Sequence, residues 1–348
     1  MPRLDNAALG ELLCLAADDP DRPYHQRRAL RRAGRGAYRW PVEAADLVDE
    51  GRSLTELRLV GPWLARVIGE WIADPPVPMP VPPAIRRGFL TAVEARRVLE
   101  AAPAPRVHGD LQMHTEGSDG SASVRAMAAA ARALGHAYVA ITDHSKGLAI
   151  AHGMDERALA RQGDEIAALN DALGPRGPRI LRAVELNVSP QGAVDLEPSF
   201  LRSLDLRLGA FHSRLRLTDD QTERYLAALR NPDFDILAHP RGRIFNFRLG
   251  LSADWGRVFE YARAHDRAVE IDAYPDRQDL DGELLALARE TGVRISIGSD
   301  AHAPGQLTFL DYGVAAAARA RIAADQIVNC MPVDDLLAWA REHRPRRP

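Results

Sequence analysis

The chain has 348 residues, 46% of them hydrophobic and 27% charged, with a formal net charge of −3. This excludes a disordered chain and leaves room for one large domain and a small one. No apolar run is long enough for a membrane span, "PRLDNAALGELL" has acids where a signal peptide would have its apolar core, and two cysteines make no disulfide framework. A cytoplasmic protein with reduced thiols is therefore expected, and any metal must be held by His, Asp and Glu.

The first 72 residues read as a small all-α domain. "NAALGELLCLAA" carries Leu9, Leu12, Leu13 and Ala16 at helical spacing, and "YHQRRALRRAGRGAY" is a basic helix ending near Gly34 or Gly36. Seven arginines stand between Arg22 and Arg39. "SLTE" (53–56) has the form of a capping box, and "GPWLARVIGEWI" is again helical in spacing. Residues 73–105 form a linker: "ADPPVPMPVPP" has six prolines in eleven residues, a stiff extended spacer. A second capping box, "TAVE" (91–94), then opens a helix running to about Ala101.

From residue 106 short apolar runs alternate with helical stretches. The runs are 138–142, 180–188, 206–212, 234–239, 268–273 and 293–298, preceded by a strand-like segment ending in His114. Helices fit at about 121–135, 154–172, 219–230, 254–265 and 281–291. This alternation predicts a parallel α/β barrel or sheet. The C-terminal "REHRPRRP" reads as a solvated basic tail.

What stands after each strand carries the chemistry. His114 and Asp119 follow the first, Asp143 and His144 the second, and Glu185 lies in the third. His212 and His239 close the next two, and Asp300 with His302 follows 293–298. A lone histidine at a strand end is usually structural, but six independent coincidences are not a natural explanation. His25, His136, His265 and His343 fall in helical or tail segments, and His108 lies six residues before His114. Five imidazoles with several carboxylates and no thiolate suit Zn, Mn or Fe. Each ion takes three or four protein ligands, so the count implies two or three clustered ions. Such a cluster generates a hydroxide nucleophile and neutralises phosphate oxygens.

These residues also carry a resemblance. "DLQMHTEGSDG", "AITDHSK", "AVELNV", "GAFHS", "DILAHPRGR", "VEIDAYPDRQDL" and "IGSDAHAPGQL" occur in the order found in the PHP (polymerase and histidinol phosphatase) family. Residues 106–342 resemble in particular the PHP domain of bacterial family X DNA polymerases. The resemblance implies a distorted seven-stranded (β/α) barrel with a trinuclear metal centre and hydrolysis by a metal-bridging hydroxide. It assigns His114, Glu185 and Asp300 to one ion, Glu185, His212 and His239 to a second, and Asp119, His144 and His302 to a third. Glu185, His212 and Asp300 are expected at the reacting centre. Gln112 departs from the pattern, because the family carries His two residues before the residue matching His114. Its amide oxygen is a weaker ligand for a borderline ion and favours a harder one such as Mn. Lys146, Arg241, Arg243 and Arg277 are candidates for gripping substrate phosphate.

"LTELRLVGPWLARVIGEWI" is similar to a helix-hairpin-helix, a motif that binds DNA backbone phosphates. Only Gly61 remains of its hairpin glycines, Leu59 stands at the position of the other, and Pro62 removes a backbone donor. The arginine helix is an alternative source of phosphate contacts. Between the helical part and the barrel there is no room for a polymerase palm, so this chain is not expected to polymerise. The resulting expectation is a metal-dependent phosphoesterase acting at nucleic-acid 3′ ends, as 3′-5′ exonuclease or 3′-phosphatase, with DNA favoured. A small-molecule phosphatase, for instance of histidinol phosphate, is the alternative, and a non-catalytic DNA-binding scaffold the third reading.

Overall fold

A computed structural model describes residues 3–101 and 103–342; the end of the basic C-terminal run lies outside them. The chain divides into two units: Met1–Ala102 with Ile244–Leu249 and Pro275–Arg277, and the remainder from Pro103 onward.

The first unit holds helices α1 (Asn6–Asp18), α2 (Tyr24–Ala37), α3 (Ala44–Asp49), α4 (Pro62–Ala73) and α5 (Ala92–Ala101). Leu9, Leu13, Leu30, Ala33, Trp40, Leu47, Leu64 and Ile68 form its core. α1 and α2 cross closely because a β-carbon at Gly34 would meet Cys14 Sγ at 2.8 Å and the Gly10 carbonyl at 3.1 Å. α2 buries Leu30, Ala33 and Ala37, which leaves Arg28, Arg31, Arg32 and Arg35 exposed. Glu11 and Arg86 form a buried bidentate pair at 2.7 Å.

Two local expectations separate here. Thr91 and Glu94 do form a reciprocal capping box, Thr91 N–H donating to Glu94 Oε2 at 2.8 Å and Glu94 N–H to Thr91 Oγ1 at 3.1 Å. "SLTE" does not. It is a single 3-10 turn over Leu54–Glu56, in which Ser53 Oγ accepts from Thr55 N–H at 3.2 Å and the Glu56 carboxylate pairs with Arg52. Gly61 precedes α4 and Pro62 takes its first position, where the missing N–H costs nothing. Leu59 holds φ +70, the left-handed conformation that the hairpin glycine would supply freely.

The second unit is one parallel sheet in the order β1-β2-β3-β4-β5-β6-β7. The strands are β1 (Gly109–Asp110), β2 (Tyr138–Ile141), β3 (Arg179–Asn187), β4 (Leu206–Ala210), β5 (Ile236–Leu237), β6 (Ala268–Asp272) and β7 (Arg294–Gly298). A helix follows each: α6 (Val124–Ala133), α7 (Glu156–Leu173), α8 (Pro198–Leu201), α9 (Thr222–Leu229), α10 (Trp255–Ala264), α11 (Gly282–Thr291) and α12 (Leu310–Ala320). α13 (Val333–Glu342) comes last. Ser123, Asp155, Asp254 and Asp281 cap the starts of α6, α7, α10 and α11. This is a seven-stranded (β/α) barrel, and it is distorted where β7 meets β1. There Asn329 bridges the edges, its side chain donating to the carbonyls of Gly109 and Ile297 and accepting from Ile297 N–H. Only beyond the strands does the chain close directly, with Met113 bridging Ala301. The strand expected to end at His114 is therefore regular over Gly109–Asp110 alone.

Alternation sorts the side chains. Val139, Ile141 and Ile180 face the helices, packing with Val124, Met127 and Ile166. Tyr138, Ala140, Leu181, Ala183, Leu206, Leu208, Ile236 and Ala268 fill the interior together with Leu336 and Trp339 of α13. The polar residues Glu185 and Glu270 come next along β3 and β6, on the interior side, towards the C-terminal mouth.

Candidate metal centre

Every strand delivers its polar residue at the same end. Glu185 continues the inward series Leu181, Ala183 of β3. His144 follows β2, His212 lies two residues past Ala210, and His239 two past Leu237. The segment after β1 is pinned to the segment after β7: Asp300 N–H donates to the Gln112 carbonyl at 3.1 Å and His114 N–H to the Ala301 carbonyl at 2.8 Å. This brings Gln112, His114, Asp300 and His302 together from opposite ends of the barrel sequence. His239 and Asp300 hold φ +27 and +51, conformations that side-chain-bearing residues adopt only when their surroundings impose them. For His239 part of that constraint is a hydrogen bond from its N–H to Glu270 Oε2 at 2.8 Å.

Glu185 is the hub. Its Oε1 lies 2.8 Å from both His212 Nε2 and His239 Nε2. Its Oε2 lies 3.3 Å from His114 Nε2 and 3.6 Å from His144 Nδ1. His114 Nε2 is also 3.1 Å from Asp300 Oδ1. Asp119 faces His144 Nε2 at 3.6 Å, His302 Nε2 at 3.4 Å and His114 Nδ1 at 3.8 Å. The His114 ring stacks between His144 and His302, with centroids 4.4 and 4.5 Å apart. Three ligand groups result: His114, Glu185 and Asp300; His144, Glu185 and His212; and His114, Asp119, His144 and His302. His239 reaches the cluster through Glu185 Oε1. His108, at the opposite end of β1, pairs its backbone with Asn329 instead.

Burial alone would neutralise these groups; it prevails at His212, whose pKa is lowered, but the neighbours of Glu185, His114 and Asp119 outweigh it. Burial works to raise the Glu185 pKa, yet the surrounding imidazoles carry it well below the usual carboxylate range. Burial likewise works against a charged His114, and Asp300 and Glu185 outweigh it and lift its pKa well above the ordinary value. Asp119 is held low against burial by His144 and His302. Such mutual dependence among nitrogen and oxygen donors is what a divalent ion relieves. Nδ1 of His144 and Oε1 of Gln112 are buried with no hydrogen-bond partner. Orphaned lone pairs of this kind are costly. The donor set therefore fits divalent cations that accept imidazole and carboxylate, as the sequence reading expected.

A second layer fixes the first, and most of it escaped the sequence reading. Asp143, noted there beside His144, turns away from the cluster. It accepts from Thr115 N–H and Oγ1 at 2.7 and 2.5 Å, from Ser118 Oγ at 2.6 Å and from Gln162 Nε2 at 2.6 Å, which fixes the loop carrying Asp119. Asn187 Oδ1 lies 3.2 Å from His212 Nδ1. Glu270 and Asp110 are fully buried. Burial, reinforced by Asp272, lifts the Glu270 pKa well above the carboxylate range, and burial raises that of Asp110 to about 6. The signal for Glu270 was an acid in the middle of the apolar run "AVEIDA".

The basic residues occupy less committed positions. Lys146 is exposed and pairs with Glu156 at 2.8 Å. Arg241 and Arg243 share Asp281, at 2.5 and 3.4 Å. Arg277 belongs to the first unit. Gln112 is fully buried, its Nε2 donating to Glu185 Oε2 at 2.9 Å.

No family model matches the chain. It is 34% identical over 264 residues to the DNA polymerase/3'-5' exonuclease PolX of Bacillus subtilis, an alignment covering 76% of this chain and 46% of that protein. The chain thus spans about half the length of that relative. It is 30% identical to a probable phosphatase of Acetivibrio thermocellus over 56% of this chain and 78% of the other. Among solved structures, histidinol phosphate phosphatase from Lactococcus lactis, complexed with zinc, L-histidinol and phosphate, aligns with TM-score 0.46 and 14% identity, covering 62% of this chain and 94% of that one.

Proposed function

The chain belongs to the PHP (polymerase and histidinol phosphatase) family of metal-dependent phosphoester hydrolases, and from that premise we propose that it hydrolyses phosphate esters at nucleic-acid 3′ ends. The observation that carries the chemistry is the convergence of five imidazoles and two further carboxylates with Glu185. His114, Asp119, His144, Glu185, His212, His239, Asp300 and His302 would hold two or three divalent ions, Mn or Zn with Fe as a further candidate, and Gln112 stands beside them. When bound, such ions lower the pKa of a water to make a nucleophile near neutral pH and offset the charge of phosphate oxygens.

The protein's own residues do the rest. Glu185, His212 and Asp300 line the reacting centre, and Glu185 keeps its carboxylate between both halves of the donor set. The Asp143 network fixes the turn carrying Asp119. Lys146, Arg241 and Arg243 are proposed to meet the non-reacting phosphates, the two arginines by exchanging Asp281 for substrate.

Two observations support a nucleic-acid substrate: the likeness to PolX, and the exposed arginine face of α2, which can contact a phosphate backbone without reading sequence. In this reading residues 1–72 add affinity, 73–105 connect, and 106–342 carry the chemistry. Both cysteines are free, in keeping with a cytoplasmic location, and among the described residues no helix is long and apolar enough to cross a membrane. A small-molecule phosphatase is the second reading, favoured by the relatives named probable phosphatases. An activity panel with added Mn separates the two: 3′-phosphorylated and 3′-hydroxyl oligonucleotides against histidinol phosphate and a generic phosphomonoester. Faster turnover of an oligonucleotide supports the proposal. Turnover confined to small phosphomonoesters supports the second reading, and no turnover of any substrate leaves a non-catalytic barrel.

A further inference from the structure

Gln112 stands where the family resemblance calls for an imidazole, and its surroundings say how an amide could serve there. Its Nε2 donates to Glu185 Oε2 at 2.9 Å, while Oε1 points the other way, buried and without a partner. The residue on that far side is Glu270. Glu270 Oε2 accepts from His239 N–H, and Glu270 Oε1 is also buried without a partner. The two orphaned oxygens flank one point. A β-carbon built on Gly298 would run into Glu270 Oε1 and Gln112 Cβ and come within 3.1 Å of Gln112 Oε1. Two lone-pair-bearing oxygens thus face a shared buried space among the described residues, while the amide donor is spent on Glu185, a carboxylate that a cation would satisfy better.

With Glu270 held ionised by cations bound beside it, turning the amide over gives each oxygen a partner. The amide oxygen and nitrogen are nearly isosteric, so the change needs only rotation about the last side-chain bond. Nε2 would then donate to Glu270 Oε1, and Oε1 would face the space bounded by His114, Glu185 and Asp300. We propose that, when ions are bound, Gln112 is an oxygen ligand held in that orientation by Glu270, which acts as a positioning residue through Gln112. Glu270 thereby takes the part that an outer carboxylate plays for a ligating histidine: it occupies the donor and leaves the acceptor for the ion. Gly298 is the residue that leaves room for the pair to meet. The inference rests on the metal-centre reading and adds the ligand atom and its support.

The test is metal binding by calorimetry to the chelator-stripped full chain, with Mn2+ and Zn2+ separately. The variants are Gln112→Ala, Glu270→Gln and the double variant, with circular dichroism as the check on folding. Glu270 can act through Gln112 or through the His239 backbone, and the double variant separates the routes. The proposal expects Glu270→Gln and Gln112→Ala each to weaken Mn2+ binding by about 10- to 100-fold, and the double variant to be no weaker than Gln112→Ala. If Glu270→Gln costs as much with Ala at 112 as with Gln, Glu270 acts through His239 and the proposal is overturned. Parent and Gln112→Ala binding Mn2+ alike would overturn it as well, while leaving the metal centre intact. A parent chain that binds neither ion would instead remove the metal-centre reading itself. Gln112→His supplies an independent check. Its second ring N–H can take the same Glu270 oxygen, so Zn2+ binding should tighten, and unchanged Zn2+ affinity would mean that position 112 does not face the ions.

Discussion

His212 Nδ1 stands 3.2 Å from Asn187 Oδ1, which leaves the opposite nitrogen turned onto Glu185 Oε1 at 2.8 Å. The amide oxygen can only accept, so it selects the tautomer in which Nδ1 carries the proton and Nε2 is bare for a cation. Asn187→Leu should therefore lower metal affinity by about 10- to 100-fold, while Asn187→Asp, which still accepts, should retain most of it. Calorimetric titration of both variants checks this. Equal loss in the two would point to packing and not to the hydrogen bond.

Asp143 supports the cluster differently. It is fully buried, and four donors from Thr115, Ser118 and Gln162 converge on it. Asp143→Ala leaves those donors without their acceptor, a loss of about 3 kcal/mol or more by the usual cost of unsatisfied buried groups. Denaturant unfolding should show that loss. Elemental analysis should show the Asp119 group losing its ion first, because the turn from Thr115 to Asp119 is what the network fixes. Unaltered stability would mean that solvent reaches the site and satisfies the donors.

The difference between these residues and the histidines explains what the sequence disclosed. The barrel and the position of each imidazole were legible because strand–helix alternation sets a period and polar residues at strand ends break it. Quoted motifs then supplied the family. Asp143, Asn187 and Glu270 were not legible as supports, since their role lies in which way a side chain turns, and one sequence carries no signal for that. The first strand was overestimated for a related reason. Its apolar residues continue past Asp110, but the ladder with β2 does not: further along, Met113 N–H donates to the Thr142 side chain at 3.1 Å. "SLTE" failed as a capping box because it holds a single 3-10 turn, whose Ser53 side chain accepts from Thr55 N–H and not from Glu56 N–H.

Leu59 offers a test of the first unit alone. Its φ of +70 costs a β-carbon-bearing residue roughly 1–2 kcal/mol, and glycine adopts that conformation freely while losing more chain entropy on folding. Leu59→Gly should stabilise the unit by about 0.5–1 kcal/mol, raising its thermal midpoint by a few degrees by calorimetry. A lower midpoint would show that the Leu59 side chain, which packs against Gly36, contributes more than the strain removes.

The arginine face of α2 tests the substrate class. Arg28, Arg31 and Arg32 are exposed and Arg27 is half-buried beside them. Replacing all four with Ala should weaken oligonucleotide binding and flatten its dependence on salt, since fewer counterions are released. Hydrolysis of a small chromogenic phosphoester should be unchanged. If the quadruple variant binds and cleaves oligonucleotides as well as the parent, the helix is a solvated face and the small-molecule reading moves ahead.

The central claim is that the residues around Glu185 hold a metal cluster, and the metal content of the folded chain tests it most directly. After loading with Mn or Zn and removal of free ion, elemental analysis should find two or three equivalents per chain, in keeping with the three ligand groups that share His114, His144 and Glu185. Well under one equivalent, in protein whose circular dichroism shows the fold intact, would contradict it.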